Sequence, residues 1–246
     1  MEYKFAKREN YENYASGRVI HGFPGVTNYP VRIASEVFSR CKSYLSKERN
    51  IILFDPCCGS AYSLTVLGLL HHDCIFSIYA SDINKDVLEI ALKNLSLLSL
   101  KGLETRKKQI EDDIKMFNKV AHIKASKSID YFKERIEPQD GQLKTKCFRA
   151  DTNDFELFSS LSFKADIIFL DVPYGDLVHW KGKSKQFGSI LENLSNVLAT
   201  GGIIAISHDK KQKYMSDDFN RLERLRIGKR IIDIFQLKER LYAKQL

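Results

Sequence analysis

Short β-rich apolar runs alternate with segments of helical length and spacing through most of this chain, and that alternation leaves few folds open. The strand-like runs are Asn50 to Asp55 (NIILFD), Cys74 to Asp82 (CIFSIYASD), 146–151 (KCFRAD), 165–171 (ADIIFLD) and 201–209 (GGIIAISHD). Helical segments are predicted between them over 60–72, 84–100, 154–161 and 187–199, the second opened by Asn84 as N-cap. Runs that are apolar on both faces and separated by helices imply a parallel sheet covered on each side, a doubly wound Rossmann-like fold. At the end of the alternation, 221–241 (RLERLRIGKRIIDIFQLKERL) reads as two strands joined by a tight turn at Ile227 to Lys229. The expected sheet is therefore seven-stranded and mostly parallel, with an antiparallel C-terminal edge. A length of 246 residues suits one domain over 1–246, carrying a basic helical N-terminal extension (1–49) and a charged helical insertion (101–146) that ends at Pro138 and a turn at Gly141.

In open α/β sheets, ligands bind beyond the carboxyl ends of the strands, so the residues there carry the chemistry. The first strand runs into DPCCGSA, where Asp55 and Pro56 begin a sharp turn, Gly59 lets a ligand approach the backbone, and Ser60 is placed to cap the next helix. The second ends at Asp82, where a carboxylate can accept both hydroxyls of a ribose, with Ile83 beside it. The third ends at Asp151 and Thr152, near where an adenine edge would lie. The G-x-G-x-x-G fingerprint of dinucleotide sites is absent, and an acid at the head of the loop repels a pyrophosphate. A cationic, amino-acid-bearing nucleoside fits instead, and S-adenosyl-L-methionine is the expected cofactor. Cys57 and Cys58 read as small packing residues of the loop, because no basic cluster in the sequence lowers their pKa. The five cysteines show no C-x-x-C pair and no zinc-finger spacing, so no metal is expected.

The fourth strand breaks off in DVPYG, which resembles the D/N-P-P-Y motif of S-adenosylmethionine-dependent methyltransferases that modify nucleobase nitrogens. That resemblance implies that Asp171 and the carbonyl of Val172 accept hydrogen bonds from the target nitrogen, and that Tyr174, after Pro173, stacks on the flipped base. His179 and Trp180 would follow on the substrate side. Together with GRVIHGFPGVTNYPVRIASEVFSR (17–40), DPCCGSAYSLTVLGLLH, ASDINKDVLEIALKNLSLLS and DVPYGDLVHW, the chain is similar to the avilamycin and evernimicin (orthosomycin) resistance methyltransferases. The implied activity is methylation of a guanine nitrogen, N1 or N2, in 23S ribosomal RNA. One departure is Ala61, where the usual loop carries a third Gly. The alternatives are a methyltransferase for DNA adenine or protein glutamine, and a non-catalytic RNA-binding module; three acids at three strand ends argue against the last.

Charge supports a polyanionic partner. The net charge is +8, and the excess sits in 1–50 (nine basic, five acidic), 101–146 (twelve and eight) and 207–246 (eleven and six), while the stretches around the first four strands are net acidic. Basic surface around a neutral-to-acidic core suits phosphate tracking on structured RNA, with Arg18, Arg32, Lys181 and Lys183 as the first contacts to consider. The expected partner is 23S ribosomal RNA or the large ribosomal subunit. With a charged N-terminus and no apolar run of membrane length, the expected protein is a cytoplasmic monomer with no membrane contact.

Overall fold

A computed structural model of the chain describes residues 2–24, 28–139, 141–172, 186–210 and 214–238. Seven strands, β1 (Ile51–Asp55), β2 (Ile75–Asp82), β3 (Lys144–Arg149), β4 (Ala165–Asp171), β5 (Leu198–Asp209), β6 (Phe219–Ile227) and β7 (Arg230–Leu237), form one sheet in the order β3-β2-β1-β4-β5-β7-β6. The first five in that order are parallel, and β7 runs antiparallel to both β5 and β6. From β1 the chain steps outward through β2 and β3, then returns to place β4 on the other side of β1. Strand order therefore reverses between β1 and β4, the position where such sheets open a crevice.

The apolar runs feed two cores because successive side chains of a strand point to opposite faces. Ile51, Leu53, Ile167 and Phe169 pack with residues of α1 (Val31–Ser43), α2 (Tyr62–Leu70) and α3 (Lys85–Ser96). Phe54, Ile168, Leu170 and Val172 face the other way, toward α6 (Phe155–Ser160) and α7 (Gln186–Ser195). The expected N-cap holds: the Asn84 side chain accepts from the Asp86 amide at 3.0 Å and starts α3. That helix ends sooner than its apolar spacing suggested. Ser99 caps a new helix, α4 (Leu100–Phe117), which reverses at Asn118 (φ 47°) into α5 (Val120–Ile136). The insertion is thus a helical hairpin, held to the body by Leu103, Ile110, Ile129, Phe132 and Ile136.

Strand β5 also departs from its expected start at Gly201. Ala165 pairs with Leu198 while Ile167 pairs with Ile203, so β5 begins earlier and its extra residues bulge out at Gly201, whose φ of +72° suits glycine. Among its described residues, the N-terminal extension is helical only over Val31–Ser43 and a 3-10 turn at Glu12–Tyr14. Before the turn the backbone is tied down by a carboxylate: the amides of Lys4, Phe5 and Ala6 all donate to buried Glu36, at 2.8, 2.9 and 2.7 Å. Arg40 pairs with Glu36 and with Glu223 of β6, joining this segment to the sheet edge. No helix among the described residues is long and apolar enough to cross a membrane.

Candidate active site

The β1–α2 loop is shaped by two acids. Asp55, 3% exposed at the end of β1, accepts the Cys57 amide at 2.9 Å and turns the chain. Asp82, at the end of β2, accepts the Gly59 amide at 2.9 Å with one oxygen and the Asn84 amide at 2.9 Å with the other. Ser81 adds a hydroxyl bond to the Pro56 carbonyl at 3.3 Å, and its own carbonyl takes the Cys58 amide. Gly59 has φ +54°, and a Cβ built there would meet nothing within 4 Å, so the loop presents open backbone. Each Asp82 oxygen still has a lone pair to offer. Burial pushes Asp55 well above the ordinary carboxylate range; the Cys57 amide opposes this, and the charges of Asp171 and Asp82 add to it. A buried carboxylate in that state gains from any positive charge placed beside it.

Ser60 does not cap α2. It is 2% exposed, its carbonyl accepts from Asn94 Nδ2 at 2.9 Å, and the helix starts on Ala61 without a side-chain cap. Ala61 has φ 54°, the left-handed region that glycine occupies without strain. That backbone is the physical reason a glycine suits the position. Nothing favours a Cys57 thiolate: burial pushes its thiol well up, and Asp55 and Asp82 push the same way. Of the other loop-side residues, Ile83 is 56% exposed, and Asp151 is exposed with its carboxylate bonded to Asn153. Thr152 is buried, and its carbonyl accepts from Asn193 at 2.8 Å.

Across the strand reversal, Asp171 ends β4 beside Asp55. Its Oδ2 lies 3.9 Å from Arg230 Nη2, and its buried Oδ1 has no hydrogen-bond partner among the described residues. Burial raises its pKa, with Arg230 and then Ser207 pulling the other way. The Arg230 guanidinium in turn sits 4.3 Å over the ring of Tyr29, which meets Phe169 of β4 edge-on at 5.3 Å. Sequence reasoning missed both residues. It considered only the ends of parallel strands, whereas Arg230 is the first residue of an antiparallel one, which starts where its parallel neighbours end: Arg230 pairs with Asp209, the last residue of β5. The buried Asn94, which joins the Ser60 carbonyl to His21, was missed as well, since nothing distinguishes it from any helical Asn.

Val172 is fully buried, its side chain in the α6–α7 core and its amide bonded to the Ser207 carbonyl at 2.9 Å. Pro173, Tyr174, His179, Trp180, Lys181 and Lys183 lie outside the described residues. The two arginines expected to meet RNA each have a partner within the chain. Arg32 donates to the Ala6 carbonyl at 3.1 Å and lies 3.6 Å over the Tyr3 ring, so it anchors the N-terminal segment. Arg18 pairs with Glu12, and its carbonyl accepts from Arg106 at 3.3 Å.

A family model for the rRNA methyltransferase AviRa matches residues 1–230. The curated 23S rRNA (guanine(2535)-N(1))-methyltransferase of Streptomyces viridochromogenes is 35% identical over 228 residues, 91% of each protein. Two solved structures of rRNA methyltransferase aviRa from Streptomyces viridochromogenes align over 96% of each chain, with TM-scores of 0.87 and 0.88 at 34% and 33% identity. TrmN from Thermus thermophilus, 13% identical, shares the fold, with a TM-score of 0.52 over 85% of this chain and 49% of its own.

Proposed function

This chain belongs to the AviRa family of rRNA methyltransferases, and from that premise we propose that it moves a methyl group from S-adenosylmethionine to N1 of a guanine in 23S ribosomal RNA. Resistance to orthosomycin antibiotics is the physiological consequence we attach to it. The match to an rRNA enzyme along nearly the whole chain favours this reading over DNA adenine, protein glutamine or bare RNA binding. The observation that carries the chemistry is Asp171: a carboxylate at the strand reversal, with one buried oxygen unpartnered among the described residues and one arginine beside it.

The loop fits the cofactor. Gly59 leaves open backbone, Asp82 has lone pairs for ribose hydroxyls, Ile83 offers an exposed apolar surface, and buried Asp55 favours a cationic group. Asp151 and Thr152 would bound the adenine. What S-adenosylmethionine supplies when bound is a methyl group already activated by its sulfonium. The remaining work falls to the protein: to hold a nitrogen in line with that methyl, and to take the N1 proton. Asp171 Oδ1 has no hydrogen-bond partner among the described residues, so it can accept the guanine N1–H and carry the proton away as the nitrogen forms its bond to carbon. Arg230 holds the carboxylate in place and favours its ionised form. Tyr174 would stack on the unstacked guanine, offsetting a cost for which base–aromatic contact is worth about 1–3 kcal/mol.

Transfer of labelled methyl to a 23S rRNA transcript, followed by primer extension, tests the reading. An N1-methylguanine blocks its Watson–Crick edge, so a reverse-transcriptase stop is expected at one guanine. RNA that takes up no label would sink the activity, and label without a stop would move the methyl off that edge.

A further inference from the structure

The α4–α5 hairpin ends in a tip that stands apart from the strand-end crevice. Residues 115–121 are all exposed, and four large apolar side chains stand out within eight residues: Met116 (73%), Phe117 (52%), Val120 (67%) and Ile123 (41%). Single exposed apolar groups are ordinary, but a cluster at the end of a protrusion marks a contact surface. The same stretch has one sign of charge. Between Ile114 and Ile129 there are four lysines, one histidine and no acid. Two of those lysines have acidic neighbours, Lys115 with Asp112 at 3.1 Å and Lys124 with Glu12 at 3.9 Å. Lys119 lies 5.6 Å over the Phe117 ring, and His122 meets that ring edge-on at 6.1 Å.

The hairpin also projects in a useful direction. Near the end of α5, Arg135 reaches the carbonyls of Leu69 and Leu70 at the far end of α2. One to two turns earlier, Ser128 bonds Asn13 and Phe132 packs on Tyr14, whose carbonyl takes the hydroxyl of Tyr62 at the start of α2, beside the cofactor loop. α5 thus passes the level of the loop, and its first two turns and the end of α4 stand beyond it, on the side of the strands' carboxyl ends.

We propose that this tip is a second RNA-docking element, in which Phe117 and its apolar neighbours take an unstacked base while Lys119, Lys124 and Lys127 track phosphates, at a distance from the reacting guanine. The inference rests on the rRNA methyltransferase reading. Charge decides the occupant: an aliphatic protein groove or a second copy of this chain would not favour a stretch with four lysines, two acids near them and none within it, whereas single-stranded or bulged RNA supplies both phosphates and π-faces. Such a contact sets how the RNA is held and leaves the chemical step alone.

Two exposed double variants test it, Phe117→Ala/Val120→Ser and Lys119→Gln/Lys124→Gln, with binding and single-turnover methylation of an isolated 23S rRNA transcript. The first should weaken RNA affinity roughly tenfold, within the range of base–aromatic stacking, and leave the rate at saturating RNA and cofactor affinity unchanged. The second should lower the log-log salt slope by about one unit for each phosphate that the lysines no longer neutralise. Parent-like RNA affinity in both would overturn the proposal. So would a defect seen only with assembled subunits, which would give the tip a protein partner, or a parent dimer that the first variant dissolves. A parent that methylates no rRNA would sink the activity itself, whereas an active parent with unaffected variants would sink the tip alone.

Discussion

Two carboxylates flank β5 at almost the same level and meet opposite fates. On one side, Asp171 of β4 pairs in register with Ser207; on the other, Asp233 of β7 pairs with the adjacent Ile206. Asp233 is fully buried and well partnered, receiving Arg224 through two hydrogen bonds of 2.7 Å and His208 at 3.1 Å. Burial alone would raise its pKa, but the Arg224 and His208 bonds outweigh it and hold the group below the ordinary value. Asp171 is less buried yet poorer in partners, with one arginine at 3.9 Å and an oxygen orphaned among the described residues, and its pKa is raised. A fully bonded carboxylate contributes to the fold, and an under-bonded one keeps its capacity for a substrate.

The sharpest way to break this contrast is to remove each charge in turn. Asp233→Ala leaves Arg224 and His208 facing an empty buried site and should cost about 3–5 kcal/mol in denaturant unfolding. Methylation per folded molecule should be unchanged. Asp171→Asn should do the reverse, lowering the single-turnover rate about 10²- to 10⁴-fold with little change in unfolding. A stability loss in the second variant equal to that in the first would erase the distinction. The pH dependence follows with opposite signs. Asp233 has a depressed folded value, so its stabilisation is present above its unfolded pKa and is lost as pH falls through the folded one. Asp171 has a raised value, so its contribution falls away as pH rises through that value.

Asp82 lies between these cases, since it braces the loop and also faces the crevice. Asp82→Ala should weaken cofactor binding by about 1.5–3 kcal/mol, the worth of charge-assisted hydrogen bonds, as read by calorimetry. Affinity equal to the parent would leave Asp82 with only its bonds to the Gly59 and Asn84 amides. The smallest effect is expected at Arg230. Its charge lowers the Asp171 pKa, so Arg230→Gln should move the acid limb of the single-turnover rate to higher pH. A limb that stays in place would mean that Arg230 does not act through Asp171.

Much of the frame was legible because it depends on periodicity. The run ADIIFLD is β4 from end to end, and the turn at Gly228 lies between the two C-terminal strands as expected. The strand-end acids were legible too, since parallel strands deliver their last residues to one edge. What could not be read depends on long-range partners. Arg32 and Arg18 look like free surface charge until Tyr3, Ala6 and Glu12 fold onto them. Ser60 looks like a cap until the left-handed backbone at Ala61 moves the helix start. Tyr29 and Arg230 lie some two hundred positions apart and meet only because an antiparallel strand starts beside Asp171.

The β6–β7 hairpin has one further consequence. Side chains of a strand alternate faces, so a slip of β7 by one residue between β5 and β6 would turn every one of its side chains over. Arg230 and Asp233 are three apart on β7, odd and even in the pleat, so the same slip would remove the counter-charge of Asp171 and scatter the partners of Asp233. The two-residue turn at Gly228, φ +59°, fixes the register of β7 on β6, and its pairing with β5 from Asp209 onward fixes the other side. A mis-registered molecule could not persist as a stable but sluggish enzyme; it would lose its anchor together with its activity.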